Sequence, residues 1–257
     1  MKGFYRLVTI ELSSLLSGLL ILCIGIIAIP QLLLMSELKR YSVYTGQERF
    51  EAIYTSAGCM MVFIVGLAVL CGLFIYNIYS GYQGSKSIYT YLTLPVRRET
   101  VYSSKLAAYA ISLLLFIAAQ LISARFGYGI VASRIANYND GQMVMTNGLF
   151  LAFTRSEFLR MLLPLSWNGL LSSFSMLAAI VSGLYYGVLC ERSKRYGWLA
   201  LIAVAIILII QELSYRMGMP VYYASFSDLY LRSGLLLILS GWYVVHGSRL
   251  VVKGAIA

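Results

Sequence analysis

The chain has 257 residues, of which 60% are hydrophobic and only 12% are charged, and its formal net charge is +10. A soluble domain carries about 25% charged residues, so this composition excludes a soluble globular protein. The basic excess favours contact with anionic lipid and with a cytoplasmic partner rather than with nucleic acid, because no basic stripe interleaved with aromatic residues occurs between the apolar runs.

Six apolar runs follow one another along the chain. A membrane-spanning helix needs about 20 mostly apolar residues, and the last two runs reach that length only if interfacial side chains such as Trp198, Glu212 and Arg249 complete them. We therefore predict an all-α integral membrane protein, a single transmembrane domain over residues 1–257 with six transmembrane helices. The predicted spans are 13–35, 58–80, 106–125, 165–190, 197–213 and 232–249. A seventh run, 141–154, is too short to span and is interpreted as an interfacial or re-entrant segment.

Residues 2–11 predict a short amphipathic helix on the inner membrane surface, ahead of the first span. Phe4, Leu7 and Val8 would face lipid, and Lys2 and Arg6 would reach the head groups. An even number of spans places both termini on one side of the membrane. With the termini inside, the inner segments hold 11 of the 20 basic residues, which supports this orientation only weakly.

A polar, basic segment, residues 82–105, separates the second span from the third. A lever that protrudes from the membrane and receives force from a soluble motor needs a helix with a mixed apolar and basic face. Pro95 would end such a helix, because the residue before a proline disfavours helical geometry. The alternative is a solvated loop whose charges only fix the topology. The apolar contact would come from Ile88, Tyr91 and Leu92, and the charge from Lys86, Arg97 and Arg98.

A stripe of small residues marks the fourth span. Ser175, Ala179, Gly183 and Gly187 recur every four residues, which places them on one helix face where another backbone can approach closely. The stripe fits either a subunit or gate interface or ordinary packing within one protomer, and we favour the second interpretation.

Reactive groups do not converge in this sequence. The single histidine, His246, lies six residues after Ser240, which is about 600° around a helix, so the two do not share a face. The glycine-rich stretch after Gly81 is not a phosphate loop, because Ser85 separates the glycine from the lysine. The four cysteines form no Cys-x-x-Cys pair and are interpreted as small apolar residues. We predict no catalytic, cofactor or metal site on this chain.

The driving force for any transport is expected to come from outside the membrane. Ion-coupled transporters normally keep ionisable groups at mid-membrane to bind or relay the ion. The charge-free cores of the long apolar runs offer none, and no internal repeat is visible. The pattern therefore disfavours coupling to protons or sodium and disfavours an inverted-repeat secondary transporter.

The 82–105 segment resembles the loop after the second span in permease subunits of type-2 ABC exporters. In that family a Leu-Pro-x-x-Arg sequence is followed by a lysine that opens the third span. The matching residues are Leu94, Pro95, Arg97, Arg98 and Lys105. The chain departs from the family at Tyr82 and Gln83, where family members often carry an acidic residue.

This resemblance implies a permease in the bacterial cytoplasmic membrane, multi-pass, with both termini cytoplasmic. It implies a second permease copy or paralogue and two ATPase subunits that bind ATP and Mg²⁺, so that ATP hydrolysis takes place on another chain. The contacts with the ATPase would come from Lys86, Ile88, Tyr91, Leu92, Leu94, Pro95, Arg97, Arg98 and Lys105. A path between the second and fifth spans would be lined by Phe74, Tyr76, Asn77 and Gln211.

Three functions follow from these patterns. The leading prediction is an exporter that moves an amphiphilic or hydrophobic substrate outward, such as an antimicrobial peptide or a lipid-like molecule. The alternative is a non-transport sensor or immunity protein that binds a peptide at its outer face through residues 125–160. An intramembrane enzyme would require His246 to be essential.

Overall fold

The computed structural model describes residues 2–40, 49–83, 97–138, 148–194, 196–218 and 226–252. These residues are almost entirely helical, and no strand occurs among them. The helices are α1 (Lys2–Arg40), α2 (Phe50–Ser56), α3 (Cys59–Gln83), α4 (Arg98–Tyr138), α5 (Gly148–Arg155), α6 (Glu157–Leu162), α7 (Trp167–Arg192), α8 (Leu199–Gly218) and α9 (Phe226–Val252), with a 3-10 turn at Tyr196–Trp198.

Six of these helices, α1, α3, α4, α7, α8 and α9, are long and apolar enough to cross a membrane. Large apolar side chains such as Ile21, Ile24 and Leu32 stand exposed along α1, as they would against lipid. The prediction of an all-helical chain with six candidate spans is confirmed, and the pattern indicates a multi-pass membrane protein. The short apolar run is helical from Gly148 onward as α5, and residues 139–147 lie outside the described part of the chain.

The N-terminal segment differs from its prediction. Residues 2–11 do not form a separate surface helix, because α1 runs without a break from Lys2 to Arg40. Leu7 and Val8, which were expected to face lipid, are buried. The physical reason is that Glu11 is also buried in this turn and is paired with a lysine of α4, so this part of α1 packs against protein.

The chain divides into two compact units. The first unit comprises Met1–Gly18, Cys71–Leu113 and Ser166–Ala257, and the second comprises Leu19–Leu70 and Leu114–Leu165. The second unit also holds the one described glycine in the left-handed region, Gly58 at φ 75°, which turns the chain between α2 and α3. Glycine adopts this conformation without steric cost.

An aromatic core holds the second unit together. Its rings pack in stacked, tilted and edge-on pairs, with centroids 5.3–6.2 Å apart. Within it, Gln120 Nε2 donates to the Tyr54 hydroxyl at 2.8 Å, and burial raises the pKa of the Tyr54 phenol. The phenol therefore stays protonated, while Gln120 Oε1 is buried and has no hydrogen-bond partner among the described residues. The rings belong to Phe50, Tyr54, Phe63, Phe116 and Phe158.

In the first unit α7 packs along α9 and α8 through the small-residue stripe. Ala179 and Met176 form a buried cluster with Leu236 of α9. A Cβ atom added at Gly183 would lie 3.7 Å from the ring of Tyr243 on α9, and one added at Gly187 would lie 3.2 Å from Ile202 on α8. Ser175, the first residue of the stripe, is buried as well. The structure thus places the stripe against helices of the same chain.

This geometry gives a first prediction. Gly183→Ala should change the free energy of unfolding by less than about 1 kcal/mol, because the new methyl meets Tyr243 at an ordinary van der Waals distance and alanine favours the helix. Reversible unfolding in mixed detergent micelles measures the change. Gly187→Ala serves as the comparison, since its methyl presses on the flexible end of Ile202. A large loss of stability for Gly183→Ala would show that the stripe packs more tightly than described.

Candidate functional site

The candidate site is the part of the first unit that flanks the basic segment. Residues 84–96 lie outside the described residues, and with them six predicted ATPase contacts, Lys86, Ile88, Tyr91, Leu92, Leu94 and Pro95. Arg97 is exposed and precedes α4, where its carbonyl accepts from the Thr100 amide at 2.9 Å. Arg98 Nη1 donates to the carbonyl of Val252, at the end of α9, at 3.3 Å. The start of α4 is thereby attached to α9.

Lys105 is not on the surface where an ATPase contact would need it. Its Nζ lies 2.9 Å from Oε1 of Glu11 on α1, and the two side chains are only 7% and 6% exposed. A pair this well shielded from water has a strong mutual attraction, but each charge has lost its hydration. The structure therefore gives Lys105 a partner within the chain, and Glu11 is a site residue that the sequence interpretation missed.

Three further polar residues next to this pair make their own hydrogen bonds between α1, α3 and α4. The Asn77 amide donates to Ser14 Oγ at 2.8 Å and accepts from the Tyr109 hydroxyl at 3.5 Å. Ser14 Oγ in turn donates to the Glu11 carbonyl at 2.8 Å. We call Glu11, Ser14, Asn77, Lys105 and Tyr109 the polar clasp. It links α3 and α4, the helices that bring the chain to and from residues 84–96, to each other and to α1.

The end of α3 and the start of α4 are also attached to α7 and α9. The Tyr79 hydroxyl donates to the carboxylate of Glu191, at the end of α7. The Tyr102 hydroxyl donates to the Tyr243 carbonyl of α9 at 3.2 Å, and its ring stacks on Tyr185 of α7 with centroids 5.1 Å apart. Aromatic stacking contributes about 0.5–1.5 kcal/mol beyond the burial of such rings, so the Tyr102–Tyr185 contact stabilises the packing of α4 on α7.

The residues predicted to line a path lie in different surroundings. Phe74 is fully buried and stacks on Tyr109 with centroids 4.6 Å apart, whereas Tyr76 is 71% exposed. Asn77 belongs to the polar clasp. Gln211 is exposed, and its carbonyl accepts from Arg232 at 3.2 Å. The structure therefore does not bring Phe74 and Tyr76 onto one face of α3.

A second buried acid overturns another sequence interpretation. Glu212 was expected to complete the fifth span as an interfacial anchor, but it is fully buried. Oε1 accepts from the Ser233 hydroxyl of α9 at 2.6 Å, while Oε2 has no hydrogen-bond partner among the described residues. One turn along α8, Arg216 donates to Ser173 of α7 at 2.9 Å. The only advance signal was a single acid inside an otherwise apolar predicted span.

His246 lies in an aromatic environment rather than beside a nucleophile. Its Nδ1 is 2.9 Å from the Tyr186 hydroxyl, and its ring packs on Trp198 and Trp242 with centroids 4.8 and 5.9 Å away. The Ser240 hydroxyl instead bonds to the Leu237 carbonyl of its own helix at 2.9 Å. Across the described part of the chain, His, Cys, Asp and Glu side chains nowhere gather in groups of three that could hold a metal ion.

Comparison with known proteins gives no relative for this chain. No protein-family model, no curated protein sequence and no solved structure matches it.

Proposed function

We propose that this chain is the membrane-spanning permease subunit of an ATP-driven exporter of the type-2 ABC class. The observation that carries the proposal is the anchoring of both ends of the basic segment to other helices. Tyr79 ties the end of α3 to α7, Arg98 ties the start of α4 to α9, and Lys105 ties α4 to α1. A displacement of residues 84–96 would therefore reach three further helices.

This arrangement suits a lever better than a topological loop. Charges that only fix orientation act through the membrane potential and lipid charge, and they need no attachment to neighbouring helices. In the proposed cycle, ATP binding closes a pair of partner ATPases against the basic segments of two permease chains. The attached helices then shift from an inward-open to an outward-open arrangement, and hydrolysis resets them.

The remaining features of the proposal concern the membrane and the cargo. The membrane is the bacterial cytoplasmic membrane, with both termini and residues 84–96 on the cytoplasmic side. There the exposed Arg6, near the start of α1, would reach the lipid head groups. The cargo is amphiphilic or hydrophobic, such as an antimicrobial peptide or a lipid-like molecule, because the spans present mostly apolar surface with sparse polar groups.

Purification of the tagged chain from its native cell in mild detergent tests this function. Mass spectrometry should find a nucleotide-binding ATPase with the wild-type chain. Arg97→Glu with Arg98→Glu should remove it, because the two exposed positions at the start of α4 would then carry negative charges that repel an acidic docking surface. The matched control is Lys39→Glu with Arg155→Glu, an equal charge reversal at two exposed positions in the second unit, which should retain the ATPase.

Other outcomes would contradict the proposal. A chain that purifies alone, or with a peptide and no ATPase, would favour the sensor or immunity protein. Loss of the ATPase from the control as well as from the Arg97 and Arg98 variant would show that net charge, rather than this segment, governs the association.

A further inference from the structure

The polar clasp holds α1 against α3 and α4, the helices that lead into and out of the basic segment. Glu11 and Ser14 are three residues apart on α1, and Lys105 and Tyr109 are four apart on α4, so each pair shares one helix face. Asn77 on α3 bridges the two faces, using its amide hydrogens toward Ser14 and its oxygen toward Tyr109. Every helix of the clasp is therefore held by both of the others.

A buried ion pair is not needed for stability at such a place. Well-packed apolar side chains of similar volume generally stabilise a protein as well as a buried pair does, because they carry no desolvation cost. A pair of opposite charges does, however, specify how the two helices align. One ammonium and one carboxylate meet in a single register, whereas apolar faces tolerate sliding and rotation. The Glu11–Lys105 contact thus defines where α4 sits along α1.

Lys105 is also in the wrong place to touch a soluble partner. It lies seven residues into α4 from Arg98, about 10 Å along the helix axis, and its ammonium is engaged and shielded from solvent. Arg97 and Arg98 are both exposed at the start of the same helix. Among the described residues of this stretch, the surface available to a docking subunit is therefore at the arginines, and the lysine acts behind it.

We propose that Glu11 and Lys105 are positioning residues that set the register of α4 on α1 and so aim the basic segment at its ATPase. This inference rests on the proposed exporter function. It assigns α1 a part in coupling, since movement of α4 at the segment must carry α1 with it through the clasp. Binding of the ATPase and stimulation of its hydrolysis are then separate properties of the permease.

The test compares wild type with the neutral pair Glu11→Gln/Lys105→Met and the exchanged pair Glu11→Lys/Lys105→Glu. The amount of ATPase that co-purifies should be the same for the neutral pair as for wild type. The factor by which the permease stimulates MgATP hydrolysis, relative to the isolated ATPase, should fall about 2- to 30-fold, which is the range for residues within a coupling network. The exchanged pair should restore stimulation, because it recreates the attraction with the charges reversed. Wild-type stimulation in the neutral pair would overturn the inference.

A distance measurement on the permease alone keeps this inference separate from the exporter proposal. Spin labels are attached at Gly3→Cys and Arg97→Cys, both exposed positions of the first unit, after the four native cysteines are replaced by alanine. The distance between the two labels reports the position of the start of α4 relative to α1. The distance distribution should be narrow in the otherwise wild-type protein, broader in the neutral pair, and narrow again in the exchanged pair. An unchanged width in the neutral pair would overturn the inference. Should no ATPase accompany the wild-type chain, the exporter proposal fails and this measurement alone decides the clasp.

Discussion

Replacing Lys105 by methionine is expected to destabilise the protein by about 3–5 kcal/mol, the largest effect of any single change considered. The substitution keeps most of the side-chain volume but leaves the Glu11 carboxylate buried without its partner, and 2.9 Å from where the ammonium had been. An uncompensated buried charge costs far more than the net contribution of the intact pair. Reversible unfolding in mixed detergent micelles gives the free-energy difference.

The double variant Glu11→Gln/Lys105→Met is the control for this prediction. It removes both charges, so its stability should return to within about 1 kcal/mol of wild type, and the two substitutions should be strongly non-additive. Lys105→Arg should fall between them, since a larger guanidinium keeps the charge but must fit a closed space. A Lys105→Met protein as stable as wild type would mean that the Glu11 carboxylate reaches water.

The positions of the spans could be predicted from the sequence because the lipid environment acts on each helix separately. A run of about 20 apolar residues meets the requirement of the hydrocarbon core whatever its neighbours are. All six predicted spans accordingly overlap observed helices. A separate surface helix over residues 2–11 could not be distinguished in the sequence from the start of a longer helix, because its apolar residues are equally compatible with lipid contact and with burial against α4.

The site could be predicted only in part, because it depends on which helices meet and in what register. Glu11 and Lys105 are 94 residues apart in the chain, and nothing local to either indicates the other. Glu212 and Ser233 present the same difficulty on α8 and α9. Asn77 was recognised as a polar residue inside a span, but its use in a network rather than on a path follows from the packing of α1, α3 and α4.

The packing of Tyr102 shows how one glycine sustains the attachment of α4 to α9. A Cβ atom added at Gly247 would lie 3.1 Å from the Tyr102 ring carbon that carries the hydroxyl, which is tight, and 2.6 Å from the hydroxyl oxygen, which is closer than real contacts allow. The ring cannot easily retreat, because it is buried and stacked on Tyr185. Because the backbone at Gly247 is ordinary helix, glycine is not needed there for its conformation. It is needed because the Tyr102 ring occupies the space of a side chain.

Gly247→Val should accordingly destabilise the protein by about 3 kcal/mol, at the upper end of the cost of overpacking, and should reduce any ATPase stimulation that passes through α4. Gly241→Ala on the same helix is the control. Its new methyl meets no atom within 4 Å, so that variant should match or exceed wild-type stability. Combining Gly247→Val with Tyr102→Ala should recover part of the loss, because removing the ring gives the valine room. A Gly247→Val protein as stable as the Gly241→Ala protein would show that Tyr102 moves aside freely, and the contact between α4 and α9 could not then transmit movement from the basic segment.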